Sequence, residues 1–158
     1  TSAEKAWAVV GPNFLNIADW ATGIHKSWDN ESQVTIEGTP VGGRFCDLGK
    51  FGISDERIVH YDLAQKEITW SAKVDKMPSF LQNIHNALEV KAISENSCRI
   101  STTMTGDLTG LKGSLLGLPI KKSFAKSQKR LLNDWKIYAE TGIVSDTKKR
   151  EITDREKK

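Results

Sequence analysis

The stretch 119–142, PIKKSFAKSQKRLLNDWKIYAETG, decides the fold. Ile120, Phe124, Leu131, Trp135 and Tyr138 recur at helical spacing, and at 100° per residue they fall within about 60° of one another. Lys122, Lys126, Lys129 and Lys136 take the opposite side. Pro119 suits a first helical turn and Gly142 the position just past the end, so the spacing predicts one long amphipathic helix reaching Thr141. An aromatic-rich helix face has to be covered, and the only large partner is the sheet that the preceding residues predict. A sheet gripping one long helix implies an internal pocket.

Upstream, Ser2 reads as an N-cap with Glu4 in the first turn, and helix formers run to Val10 before Gly11 and Pro12 stop them. A second short helical piece, Phe14 to Trp20, lies between Pro12-Asn13 and Gly23. From Ile24 the period changes to two. Strands are expected near 24–37, 42–51, 55–62, 67–75, 84–94 and 97–107, separated by turn formers such as Gly42-Gly43 and Ser94-Glu95-Asn96. Connections this short imply antiparallel neighbours. The fold class is α+β: two short helices, a curved antiparallel sheet of six to seven strands, then the long helix. Residues 1–142 read as one domain, and 143–158 as a polar, charged tail or helical extension.

A chain of 158 residues is one domain in length. No window approaches the roughly 18 apolar residues of a membrane span, and no basic, apolar leader opens the sequence, so cytoplasmic residence is the expectation. Cys46 and Cys98 sit in separate strand-like segments and read as reduced thiols. The net charge of +3 is uneven: residues 119–158 hold 12 Lys and Arg against 6 Asp and Glu, whereas residues 1–118 hold 11 against 14. A solvated helix face explains this, and so does contact of Lys122, Lys126, Lys129 and Lys136 with an anionic surface. Nucleic acid is not expected, because no recognition motif accompanies the charge. His25, His60 and His85 lack companions at metal-ligand spacing, and no Gly-rich phosphate loop is present, so neither metal nor nucleotide cofactor is expected.

Several short motifs carry a resemblance: residues Ala3 to Val10, Ile17-Ala18-Asp19-Trp20, Gly42-Gly43-Arg44, Glu56-Arg57-Ile58 with Asp62, the Trp70 strand ending in Met77-Pro78, and the closing helix. Together they resemble the polyketide cyclase/dehydrase and lipid-transport group of the START and birch-pollen-allergen-like (SRPBCC) superfamily, over residues 3–142. The resemblance implies a helix-grip fold, in which seven antiparallel strands and two short helices enclose a hydrophobic cavity beneath a long C-terminal helix. In that family a first strand precedes the short helices. This chain opens at the helix, so the final strand, near 97–107, is expected to present an unpaired edge.

Alternation places Arg44, Cys46 and Leu48 on one side of their strand, Glu56, Ile58 and His60 on one side of the next, and Trp70, Ala72 and Val74 on one side of the third. The apolar members point that side inward. Arg44 and Glu56 are then expected to meet as a buried pair, because either charge alone would cost several kcal/mol there. They are the candidates for acid–base chemistry, or for holding a ligand's polar end, while a brace between strands is the structural alternative. Trp20, Cys46, Ile58, His60, Trp70, Ile84, Leu88, Phe124 and Trp135 are the expected ligand-binding wall, around a cavity of about 300–1,000 Å³. Three functions fit: a carrier or sensor for a lipid, isoprenoid or polyketide-like molecule; a cofactor-independent cyclase, dehydratase or isomerase; or a partner- or membrane-docking module acting through the basic helix, as monomer or homodimer. A tightly filled interior would favour the last.

Overall fold

A computed structural model describes residues 1–157. Helix α1 (Ala3–Val10) is capped by Ser2, whose hydroxyl accepts from the Lys5 amide at 3.3 Å. A 3₁₀ turn (Phe14–Asn16) leads into α2 (Ile17–Trp20), and the two helices form an elbow. Six strands follow: β1 (Lys26–Asp29), β2 (Gly43–Asp47), β3 (Ile53–Asp62), β4 (Glu67–Val74), β5 (Leu81–Ser94) and β6 (Ser97–Leu108). All pairings are antiparallel, and the order in the sheet is the order in the chain, β1 to β6. Helix α3 (Gly110–Thr141) packs against β6 and α1, and α4 (Asp146–Glu156) closes the chain. The expected α+β helix-grip architecture is present, with six strands among the described residues.

Three boundaries differ from expectation, each for a local reason. The first strand stops at Asp29 instead of running to 37. Asn30 is buried and turns the chain: its side-chain oxygen accepts from the Ser32 amide and hydroxyl, its amide group donates to Asp55 at 2.7 Å, and its carbonyl accepts from Gln33. The second strand ends at Asp47, where a 3₁₀ turn over Gly49–Phe51 begins. The long helix starts at Gly110, so Pro119 lies inside it rather than in its first turn. Leucines favour helix there, and Gly113 and Gly117 let the backbone lie against Leu108, where an added Cβ would come within 2.8 and 3.2 Å. Pro119 has no N–H, so the carbonyl of Leu115 loses its intrahelical donor, a loss that solvent offsets because both residues are exposed. At the other end the helix stops as expected: Gly142 adopts φ 70°, and its N–H donates to the Tyr138 carbonyl at 2.8 Å.

The core forms where the elbow, the inner face of the sheet and α3 converge. Ala6, Trp7, Phe14, Ile58, Ile68, Trp70, Leu88 and Trp135 are buried there, and the Trp135 indole N–H donates to the Ala6 carbonyl at 3.0 Å. Helix α4 is almost wholly polar, yet it is bonded into the domain. Lys148, 1 % exposed, donates its ammonium to the carbonyls of Ala21 (3.0 Å) and Ile24 (2.7 Å) and to Glu151 (3.4 Å). Asp134 of α3, also buried, accepts from the Ser145 hydroxyl (2.5 Å) and the Thr22 amide (2.9 Å). These bonds satisfy backbone groups of Ala21, Thr22 and Ile24 in place of sheet pairing.

Candidate functional site

Arg44 and Glu56 are directly opposite in the β2–β3 register and meet at 2.8 Å between Nε and Oε2. Both are buried, at 2 % and 7 % exposure. The second carboxylate oxygen accepts from the Ser54 hydroxyl at 3.2 Å. The guanidinium also donates through Nη1 to the carbonyl of Phe14, lies 3.7 Å from the Phe14 ring centroid and 5.3 Å from that of Trp70. The pair thus ties the elbow to the sheet, with an aromatic ring stacked on the cation. Cys46, beside it on β2, has its thiol pushed up to about 12, first by burial and then by the Glu56 charge. At neutral pH that sulfur carries its proton and is no nucleophile.

The interior is nearly filled. A partly open cavity of about 10 Å³, room for roughly one water, is lined by Val9, Val10, Phe14, Ile17, Trp20, Arg44, Trp70 and Leu88. The volume of about 300–1,000 Å³ expected at this place is not there, because the elbow's side chains and the stacked guanidinium occupy the cup; an open groove of about 460 Å³ lies instead between the elbow, β1 and α4, and none of the expected wall residues lines it. Trp20 and Trp70 both line the cavity, and the indole N–H of each is buried with no protein acceptor, as is that of Trp7, which does not line it. Of the other expected wall residues only Leu88 reaches it. Cys46, Ile58, Ile84 and Trp135 are buried in the packed core around it, and Phe124 is half-buried on α3.

His60 does not belong to the site. A β-bulge between Ile58 and His60 leaves Val59 outside the ladder and reverses the alternation, so His60 pairs with Thr69 on the outer face. Its side chain is 53 % exposed, 3.7 Å from the Glu67 carboxylate.

Sequence reasoning missed the elbow side chains Val10, Phe14 and Ile17 as wall. The spacing Trp7, Val10, Phe14, Ile17, Trp20 at three- and four-residue intervals was the signal that could have found them. It also missed a polar bridge from α3 to the sheet, in which Gln128 accepts from the Thr102 hydroxyl at 2.6 Å and donates to Asn86 at 3.3 Å. Nothing in the chain marks Gln128, since a glutamine among lysines reads as solvated surface. Lys122, Lys126, Lys129 and Lys136 are exposed, and among the described residues none lies within 4 Å of a carboxylate. Among the described residues no helix is long and apolar enough to cross a membrane.

No family model matches the chain, and no curated protein does. Solved structures do. The chain is similar to Ara h 8.0201 (12 % identity, 83 % of this chain and 87 % of that one, TM-score 0.57) and to the Zhui aromatase/cyclase from Streptomyces sp. R1128 (12 %, 92 % and 93 %, 0.54). It is also similar to a START superfamily protein from Mycobacterium smegmatis (13 %, 84 % and 90 %, 0.53). With a curved antiparallel sheet, a two-helix elbow and a long closing helix, the chain has the helix-grip fold of the START and birch-pollen-allergen-like proteins.

Proposed function

We propose that the chain binds a hydrophobic small molecule, of lipid, isoprenoid or polyketide-like class, beneath the elbow, as a carrier or sensor and not as an enzyme. The observation that carries this reading is the pair of buried indole donors, Trp20 and Trp70, lining one aromatic cavity beside Arg44 without an acceptor. A buried donor left unpaired costs about 1–3 kcal/mol, and a ligand oxygen placed between the two rings recovers it while its apolar body replaces elbow side chains. The filled interior by itself favours docking over ligand binding, and the ligand reading rests on the unpaired indoles: entry requires the elbow to swing out, since the space beside them holds no more than a water. The elbow suits that role: its helices have 8 and 4 residues, too short to persist without their packing. The same site argues against acid–base chemistry, because Glu56 is engaged at both oxygens and the Cys46 thiol keeps its proton.

Native mass spectrometry of gently purified protein, followed by tryptophan-fluorescence titration with a fatty acid, a prenyl alcohol and a polycyclic phenol, tests the reading. A co-purified apolar mass, or saturable quenching by one class, is the expected result. Trp70→Phe, which keeps a ring and loses the donor, is expected to weaken that ligand about fivefold, the worth of one neutral hydrogen bond. A bare mass together with no quenching by any of the three overturns it.

A further inference from the structure

The first third of α3 carries an apolar stripe that faces solvent. Leu111, Leu115 and Leu118 are 79 %, 71 % and 74 % exposed, and at 100° per residue they share one side of the helix within about 60°. They cannot roll inward, because Gly113 and Gly117 hold the opposite side against Leu108. Single exposed leucines need no explanation, but three in line on one helix make a contiguous patch. Further along the same outward side come Lys122, Lys126, Lys129 and Lys136. Between Asp107 and Asp134 the chain contains no acidic residue and six basic ones. The neighbouring turns add to this end: the Thr109 amide donates to the Phe80 carbonyl, and the Lys76 amide to that of Phe51, itself 47 % exposed beside Lys50. The acids there, Asp75 and Asp107, accept from the Ile53 amide and the Asn83 side chain and keep their charge, so the basic surplus lies along α3 beyond them.

We infer that this face docks α3 onto an anionic lipid bilayer, with the leucines at the acyl boundary and the lysines among the phosphates. A helix with leucines and lysines arranged this way gains from both burial and surface potential. A second copy seated antiparallel, leucine on leucine, would leave both lysine rows unpartnered beyond the overlap, whereas an anionic surface engages leucines and lysines together. Docking by this face needs no ligand in the interior.

Cosedimentation of the full chain with vesicles of phosphatidylcholine containing phosphatidylglycerol, against phosphatidylcholine alone, is the test. Binding to the anionic vesicles that weakens with added salt is expected. Replacing Leu111, Leu115 and Leu118 together by Gln should lower that partitioning at least about tenfold with melting unchanged, because the side chains already face water. Lys122→Gln, Lys126→Gln and Lys129→Gln combined should lower it roughly 100-fold. Failure of the unaltered chain to bind anionic vesicles at low salt overturns the inference. So does a leucine variant that binds as well as the original, or a sedimentation-velocity dimer that the leucine substitutions dissolve.

Discussion

Glu56→Gln isolates the charge in the buried pair while keeping the size of the side chain. At 2.8 Å the Coulomb attraction to Arg44 is about 6 kcal/mol at an effective dielectric of about 20, most of it offset by the cost of bringing both ions out of water. Removing one charge keeps the other's desolvation cost without its compensation, which typically amounts to about 3–5 kcal/mol. Here the lower end applies, because a Gln oxygen still accepts from Nε, and the Phe14 carbonyl and ring still hold the guanidinium. The expected loss is about 3 kcal/mol in urea denaturation, or about 6–12 °C in melting. Arg44→Met combined with Glu56→Leu should lose less than the two single changes added together, since no buried charge then remains. A loss below about 1 kcal/mol for Glu56→Gln, or strict additivity in the double variant, would refute the idea that the pair braces elbow to sheet.

Trp135→Ala should cost about 3–5 kcal/mol in the same assay, for it empties the centre of the core and leaves the Ala6 carbonyl without its donor; a loss under about 1 kcal/mol would contradict that placement. Thiol alkylation followed by mass measurement should label Cys98 in the native protein and Cys46 only after unfolding, because burial and the Glu56 charge keep Cys46 protonated; equal rates for Cys46 folded and unfolded would be the contrary result. Burial lowers the pKa of Lys148 below the ordinary lysine value, against the opposing pull of Glu151. The unfolded chain then binds the proton more tightly, so the penalty for the buried ammonium is full at neutral pH and is relieved as pH climbs through the lowered native value toward about 10.4. Stability measured against Lys148→Met should therefore rise with pH across that alkaline window, and a flat or falling difference would count against it.

The fold was readable from two periodicities, because a helix stripe over Ile120 to Tyr138 and alternation over 43–74 each follow from one buried face. Residues that depart from a period were not. Nothing local announces the bulge at Val59, so His60 seemed to continue the inward row of Glu56 and Ile58. Asn30 ends β1 through a bond to Asp55, a partner 25 residues away that no window contains. Pro119 read as a start signal because leucines and glycines upstream resemble a loop; only contact with Leu108 makes them helix. The Arg44–Glu56 meeting was legible because buried charges must pair, whereas how much room remains above them depends on the angle at which the elbow closes, which no residue pattern encodes. For the same reason the lysines of α4 gave no hint of docking: Lys148 is seated by backbone carbonyls, whose positions belong to the fold and not to any neighbouring side chain.

Because each strand pairs only with the next, the meander can assemble progressively as the chain leaves the ribosome, whereas the elbow is fully covered only once α3 arrives. The side of α1 at the Ala6 carbonyl waits for Trp135, 129 positions later. At about 5–20 residues per second that interval is roughly 6–26 s. Helix α1 is therefore among the last elements to be fully covered, and Lys148 arrives later still to fasten the carbonyls of Ala21 and Ile24. Synthesis thus leaves the elbow held to the sheet alone, through Trp7 against Tyr61 and Arg44 against Phe14, so a chain cut short before Trp135 keeps its strand ladder but leaves the elbow open on the side of α3.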